Sequence, residues 1–520
     1  MGNADSFSEL IKSGYSFKGE SITFGAAMLD GHAIKGLHVK APLKTFNRHG
    51  LIAGVTGTAK TKTLQKISEE FSSKGVSVLL MDIKGDLSGI GAEGTANEKI
   101  NERVSSIELD FKPSASPIEF LSLSKKKGAR LRATVSEFGP VLFSKILDLN
   151  DTQSGVIAIL FKYCDDKQIP LLDLKDIKKL LNFATAEGAQ EIANEYGKIA
   201  TTTASTILRK IIELEQQGAE QFFGERSFDV NDLVRINESG QGIVSILRLT
   251  DIQDRPKLFS TFMLCLLAEI YSTFPEEGDS DAPKLVIFID EAHLIFQEAS
   301  KSLYSQIETI VKLIRSKGVG IFFCTQNPDD IPNEVLSQLG MKIQHALRAF
   351  TDRDRKAIKL AAENYHETNF YNKEEVLTSL GIGKAFITVL NEKGIPTPLA
   401  ATLLMPPSSR MYVLSPAEID GIIQNSQLIK KYYEAIDRDS AFEILSKKIN
   451  DYSIQNASNE AEKPSSSNQT AVKTVFDKVG DAANSYAGRV IIQRTDPRYF
   501  RCFRTQINKS DNFKKIKKIQ

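Results

Sequence analysis

The stretch His49–Thr61, HGLIAGVTGTAKT, decides how the chain is read. A short apolar run, His49–Val55, enters a Gly-rich turn, and Lys62–Lys74 then carries Leu64, Ile67 and Phe71 at helical spacing. Strand, loop and helix in that order are the context that G-x-x-x-x-G-K-[ST] requires, and Gly54–Thr61 matches it at every fixed position but one. Backbone N–H groups of such a loop converge on a phosphate at the positive end of the following helix. The candidate nucleotide contacts are therefore Gly54, Thr56, Gly57, Thr58, Ala59, Lys60, Thr61 and Lys62. Lys60 is expected at the β- and γ-phosphates, where it serves catalysis as well as binding, and the Thr61 hydroxyl at Mg²⁺. Position 59 is Ala where Gly is usual, which puts a Cβ close to the phosphate path.

Working outward, Val76–Ile83 (VSVLLMDI) is an apolar run suited to a strand buried on both faces. It joins the first strand through the intervening helix as a βαβ unit. Its end places Asp82 toward the metal-bound water, while Lys84 and Asp86 fit turn residues equally well. A second apolar strand, Leu285–Ile289, delivers Asp290 and Glu291 at its C-terminal end, where open α/β sheets bind ligands. Asp290 is expected to hold Mg²⁺ and Glu291 to orient the attacking water. His293 follows as either a relay or a structural histidine. The next strand ends at Thr325, so Gln326 stands beside the acids, either as a sensor of the terminal phosphate or as a turn residue before Asn327-Pro328. Such sites are often completed by a cation from an adjoining subunit. Arg315 in LIRSKGVG and Arg348 in QHALRAF are the candidates, and either could instead pair with a local carboxylate.

The remaining pattern predicts an α/β fold with a mainly parallel sheet, a small N-terminal β-rich cap and an inserted helical bundle. Ser16–Val39 alternates apolar and polar residues, giving a cap over residues 1–45. The core occupies 46–111 and 236–405. Between them, in 112–235, β signals fade and Val141–Leu149, Val156–Lys162, Leu174–Phe183 and Ser205–Gln216 carry helical periodicity. Strands and helices then alternate again through Gly242–Leu249, Phe259–Phe274, Lys284–Asp290, Ser300–Ser316 and Gly320–Thr325. Lys342–Leu347, Gly383–Leu390 and Thr397–Leu404 complete the strands. Pro406 and Pro407 open a linker in 406–520, Ser426–Ile449 fits one amphipathic helix, and Ser453–Gln469 has a disordered composition.

Formal charge is +1 from 66 basic and 65 acidic residues, so no global field points to nucleic acid or membrane. The tail Arg489–Gln520 holds ten Lys or Arg against two Asp, with Tyr499, Phe500, Phe503 and Phe513 among them. It is either a nucleic-acid grip or a solvated end. Cys164, Cys265, Cys324 and Cys502 are far apart in sequence, against a zinc or disulfide framework. With no leader pattern and no apolar stretch of membrane-spanning length, a reducing cytoplasm and no membrane are expected. MGNADS matches a short myristoylation pattern that occurs often by chance.

With the motifs in order, the chain resembles the HerA–FtsK superfamily and, more closely, the YjgR-type family of HerA-like ATPases. The matching strings are NRHGLIAGVTGTAKT, MDIKGDLSG, TVSEFGPVLFSKILDLNDTQ, RLTDIQDRPKLFSTF, FIDEAHLIF, LIRSKGVGIFFCTQNPDDIP and QHALRAFTDRD, from about Asn47 to Arg355. The Gly57-Thr58-Ala59-Lys60 pattern is itself similar to the loops of the minichromosome-maintenance helicases, which are active ATPases. The resemblance implies a RecA-like P-loop core, ring-shaped homo-hexamers and Mg²⁺-dependent ATP hydrolysis between subunits, with Lys60, Thr61, Asp290, Glu291 and Gln326 at the nucleotide. It puts Arg315 where relatives place a catalytic arginine. Double-stranded DNA is the expected substrate of such a ring, with a nuclease or other protein as a partner. The competing reading is a nucleotide-controlled assembly ATPase that handles no DNA; a conjugation-type coupling ATPase would want a membrane anchor.

Overall fold

The computed structural model describes residues 3–461, apart from 125, 279, 297–300, 435 and 437. Its strands are β1 (Ser21–Leu29), β2 (His32–Pro42), β3 (Gly50–Ala53), β4 (Ser77–Asp82), β5 (Ile118–Ser122) and β6 (Ala129–Arg130). They continue as β7 (Val244–Arg248), β8 (Leu285–Ile289), β9 (Val319–Thr325), β10 (Met341–Gln344), β11 (Lys384–Thr388) and β12 (Ala400–Leu404). All twelve join one sheet in the order β2-β1-β12-β11-β10-β3-β9-β8-β4-β7-β5-β6. From β10 to β6 each neighbouring pair is parallel. From β10 to β2 each is antiparallel.

The central strands β3, β4, β8 and β9 are buried at every position, which is why they read as unbroken apolar runs. The helix after the phosphate loop, Lys60–Ser73, is pinned to the sheet by aromatic rings. Phe71 meets Phe46 edge-on at 4.8 Å between centroids and lies 6.2 Å from Phe288, which in turn lies 5.1 Å from Phe322. Register then aligns the strand ends. Ala53 lies opposite Thr325, and Ile289 lies opposite both Phe323 and Met81. Residues following β3, β9, β8 and β4 therefore meet along one edge of the sheet.

Several expectations need correction. β3 and β4 are joined by one helix but are not neighbours, because β9 and β8 lie between them. Pairing is a long-range choice that the local pattern does not encode. The N-terminal strands extend the main sheet through β1–β12 pairing instead of forming a separate cap, and a helix, Asn3–Gly14, precedes them. Within 112–235 the sheet gains β5 and β6, too short to show a period. The inserted helices are Val135–Ile146, Asp151–Asp166, Leu174–Thr185, Ala189–Glu195 and Thr201–Gln216. Thr134, Asn150 and Asp173 cap three of them through reciprocal side-chain and backbone hydrogen bonds.

Residues 406 onward do not begin as a linker. Ser408 and Ser409 donate their N–H groups to buried Glu69 at 2.8 and 2.9 Å, so the chain is strapped across the phosphate-loop helix. Beyond it, Ser426–Ile449 is two helical pieces, Gln427–Tyr432 and the start of Ala441–Ala461. Ser440 immediately precedes the second, its hydroxyl donating to Asp176. The second helix runs through the first part of Ser453–Gln469; the remainder of that stretch and the basic tail lie outside the described residues. The described residues fall in a unit that ends at Lys447 and a second that starts at Lys448, of which the description covers helix only.

Candidate nucleotide site

The phosphate loop leaves β3 under tight steric control. A Cβ on Gly54 would sit 2.4 Å from Cβ of His345, so only glycine lets the loop pass. Thr58 closes the turn by donating its hydroxyl to the Val55 carbonyl at 2.7 Å. Thr56 and Gly57 form the exposed tip, and a Cβ on Gly57, at φ 85, would meet no atom. Ala59 caps the helix in the left-handed region, φ 75 and ψ 27, where its Cβ crowds the backbone. The loop thus adopts the conformation a glycine would take freely, at a cost of about 1 kcal/mol.

Lys60 begins the helix, is 7% exposed, and donates its ammonium to the Thr325 carbonyl at 3.0 Å. Burial lowers its pKa, against the pull of Glu291 and Asp290. Thr61 is half-buried in the first turn. Lys62, expected among the phosphate contacts, turns the other way and donates to the Met411 carbonyl at 2.6 Å and to Gln65 at 3.2 Å.

The two carboxylates follow β8. Asp290 is 5% exposed, and burial together with Glu291 pushes its pKa up to about 6. Its Oδ2 has no hydrogen-bond partner among the described residues. Glu291 sits at φ 47, a left-handed conformation that a side chain rarely adopts. Its carboxylate forms an ion pair with Lys84 at the end of β4 and approaches Nδ1 of His293 at 3.3 Å. Burial would raise its pKa, yet the Lys84 hydrogen bond and charge bring it down overall. Lys84, read from sequence as a turn residue at least as readily as a site residue, is thus a direct partner of the second acid. The signal was its place at a parallel strand's C-terminal end.

Asp82, expected at the metal-bound water, instead collects the N–H groups of Gly85, Asp86 and Leu87 at 2.7, 3.2 and 3.4 Å. It shapes the loop that carries Lys84. Gln326 stands exposed at the end of β9, between the loop and the acids. Arg348 is exposed beyond β10 and donates to the Thr378 carbonyl at 2.8 Å. Arg315 precedes β9 and so lies at the opposite edge, a seven-residue strand or about 23 Å away. Within one chain it does not join the site.

No local pattern announces the strap. Lys62, Gln65, Lys66 and Glu69 form a polar stripe at helical spacing, which normally faces water. Here Gln65 donates to Ser409 Oγ at 2.6 Å and to the Arg410 carbonyl at 2.9 Å, and Lys66 donates to Ser408 Oγ at 3.1 Å.

The model of the family described as Helicase HerA-like C-terminal matches residues 29–509. A DNA double-strand break repair helicase HerA of Saccharolobus solfataricus is 23% identical over 354 residues, covering 68% of this chain and 64% of that protein. The protein of the same name from Sulfolobus acidocaldarius is 20% identical over 373 residues, again covering 68% and 64%. The chain thus spans somewhat under two thirds of the length of these relatives. Among solved structures, the plasmid coupling protein TrwB in complex with a non-hydrolysable ATP analogue has the same fold, with a TM-score of 0.50 at 12% identity over 78% of this chain and 95% of that one.

Proposed function

The chain belongs to the HerA-like helicase C-terminal family, and from that premise we propose that it binds and hydrolyses ATP with Mg²⁺ and turns that cycle into movement of double-stranded DNA through a ring. The observation that carries the catalytic part is Asp290 Oδ2, a buried acceptor without a partner beside a buried lysine and a second acid. An acceptor of that kind is costly unless a ligand satisfies it. It fits a divalent cation, held by Asp290 and the Thr61 hydroxyl. When bound, Mg²⁺ would neutralise charge on the phosphate oxygens.

The protein's own groups have distinct tasks. Loop N–H groups and Lys60 bind and orient the phosphates. Glu291, kept ionised by Lys84, holds the attacking water and takes its proton. Gln326 stands where an amide can contact the terminal phosphate or that water. Arg315, at the far edge of the sheet, would serve a neighbouring subunit's site if the chain assembles as a homo-hexameric ring; Arg348, anchored to a local carbonyl, is the lesser candidate. The names of the relatives support DNA as the substrate.

The test is ATP turnover by wild type and Glu291→Gln, with and without double-stranded DNA, across a salt series. The motor reading expects wild-type turnover to rise with DNA and that rise to shrink as salt releases the phosphate contacts, with Glu291→Gln near background. Turnover indifferent to DNA at every salt concentration would favour the assembly ATPase instead. Particle mass with ATP reads the ring.

A further inference from the structure

The Glu291 carboxylate is held between two side chains that come from different elements. Lys84, which follows β4, forms an ion pair with one oxygen, and His293, in the turn after β8, approaches the other at 3.3 Å. Neither partner is fixed by the sheet ladder, since β4 ends at Asp82 and β8 at Ile289. A lysine ammonium rides on a flexible four-carbon stem, so its place depends on how its backbone is held.

One segment holds the backbone beside both partners. Residues 249–260 leave β7 and form the first turns of the helix Pro256–Thr273. Leu249 donates its N–H to the Asp82 carbonyl at 3.0 Å, and Gln253 donates its side-chain amide to the Ile83 carbonyl at 2.6 Å. Thr250 packs closely on the same turn, where a Cβ on Gly85 would lie 2.9 Å from its methyl group. Further along, buried Ser260 shares its hydroxyl proton between the Pro256 carbonyl at 2.8 Å and the Ile295 carbonyl at 2.9 Å, two residues beyond His293. The segment is itself anchored to the last inserted helix, Thr201–Gln216, and its cap. Arg255 donates to the Gln217 carbonyl at 3.2 Å, and Lys257 pairs with Glu213.

We propose that Gln253 and Ser260 are positioning residues for ATP hydrolysis, holding Lys84 and His293 on either side of the Glu291 carboxylate. Both act through the backbone they hold. An exposed glutamine is ordinarily a solvated side chain. Here its amide meets the carbonyl next to Lys84, and a displaced Lys84 misplaces the carboxylate that orients the attacking water, to which rate is steeply sensitive. This rests on the assignment of Glu291 as the base in the function proposed above.

The experiment measures kcat and KM for ATP with the full chain and Mg²⁺. Wild type, Gln253→Ala, Gln253→Glu, Ser260→Ala, Lys84→Ala and the double variant Gln253→Ala with Lys84→Ala are compared, with a melting curve for each. Gln253→Ala should lower kcat about fivefold and leave KM within about twofold. Gln253→Glu should do the same, because a carboxylate cannot donate to a carbonyl. Ser260→Ala should lower kcat about threefold, and Lys84→Ala about tenfold. In the Lys84→Ala background Gln253→Ala should cost nothing more, since the residue it acts through is gone. Unchanged kcat in Gln253→Ala or in Lys84→Ala overturns the positioning role while ATP hydrolysis stands, and unchanged kcat in Ser260→Ala overturns the half that runs through His293. Losses that multiply in the double variant, or a KM that rises as kcat falls, also overturn it, because they mark residues that only shape the fold. Wild type without turnover overturns the ATPase reading and this inference together.

Discussion

The two ends of the parallel strands treat buried polar groups in opposite ways. Where β3 begins, His49 is 3% exposed and uses both ring nitrogens, Nε2–H donating to the Val311 carbonyl at 2.8 Å and Nδ1 accepting from Ile321 N–H at 3.0 Å. Burial pushes its pKa down to about 4, so it stays neutral. Where β8 ends, Asp290 is nearly as buried, its pKa is pushed up to about 6, and one oxygen has no partner. Asp82 is the control for that comparison. Burial and Asp86 also push it up to about 6, but its carboxylate is met by three backbone N–H groups. Burial and a shifted pKa therefore do not distinguish Asp290 from Asp82; the unmet oxygen of Asp290 does.

The comparison breaks most readily at Lys60. Lys60→Ala should lower ATP turnover by about 10²–10³-fold, because a donor aimed at the phosphates is removed. A thermal melt should show no loss of stability, since its buried ammonium is a cost without ligand. Retained turnover would mean that the strand ends are not the catalytic edge.

At the other end, His49→Ala should cost about 2–3 kcal/mol in urea unfolding by orphaning the Val311 carbonyl and the Ile321 N–H. The pH dependence sharpens this. With a folded value near 4 and an unfolded value of 6.5, the unfolded chain takes up the proton first as pH falls. The contribution is complete above pH 6.5 and drains away toward pH 4, a slope that the variant should lack.

Asp290→Asn should do the reverse, raising stability by about 1–2 kcal/mol at pH 7 while abolishing turnover. The folded carboxyl at about 6 holds its proton more tightly than the unfolded one at 3.8, so the charged form opposes folding. The variant's gain should be full above pH 6 and vanish near pH 3.8; a variant less stable than wild type at pH 7 would contradict the unmet-acceptor reading. The smallest effect belongs to Ala59→Gly, which should relieve the left-handed backbone and shift stability or ATP affinity by about 1 kcal/mol or less, read by melting and titration.

Much of the site was legible because its chemistry is local. The phosphate loop, Asp290, Glu291 and Gln326 each follow directly from an apolar run that could only be a buried strand. Asp82 ends β4 and Lys84 follows it, and the sequence alone did not show which of the two pairs with Glu291. Which of the two meets Glu291 depends on the fold of residues 85–87, where three N–H groups claim one carboxylate and leave the lysine free to cross to β8. The strap was illegible for a similar reason. A stripe of Lys62, Gln65, Lys66 and Glu69 has the same pattern whether water or a distant peptide satisfies it.

By itself, the sequence determined that β3, β4, β8 and β9 are buried, that a phosphate loop follows the first and two acids follow the third, and that the chain is HerA-like. Periodicity and motif spacing are properties of neighbouring residues, so they can be read along the chain. Only the tertiary structure decided that β9 and β8 separate β3 from β4, that β1 and β2 extend the same sheet, that Arg315 faces away from its own site, and that residues 408–412 belong to the phosphate-loop helix. Apart from the placement of Arg315, each of these is a pairing across hundreds of residues. Its free energy comes from matching edges and satisfying buried polar groups, and neither leaves a local mark.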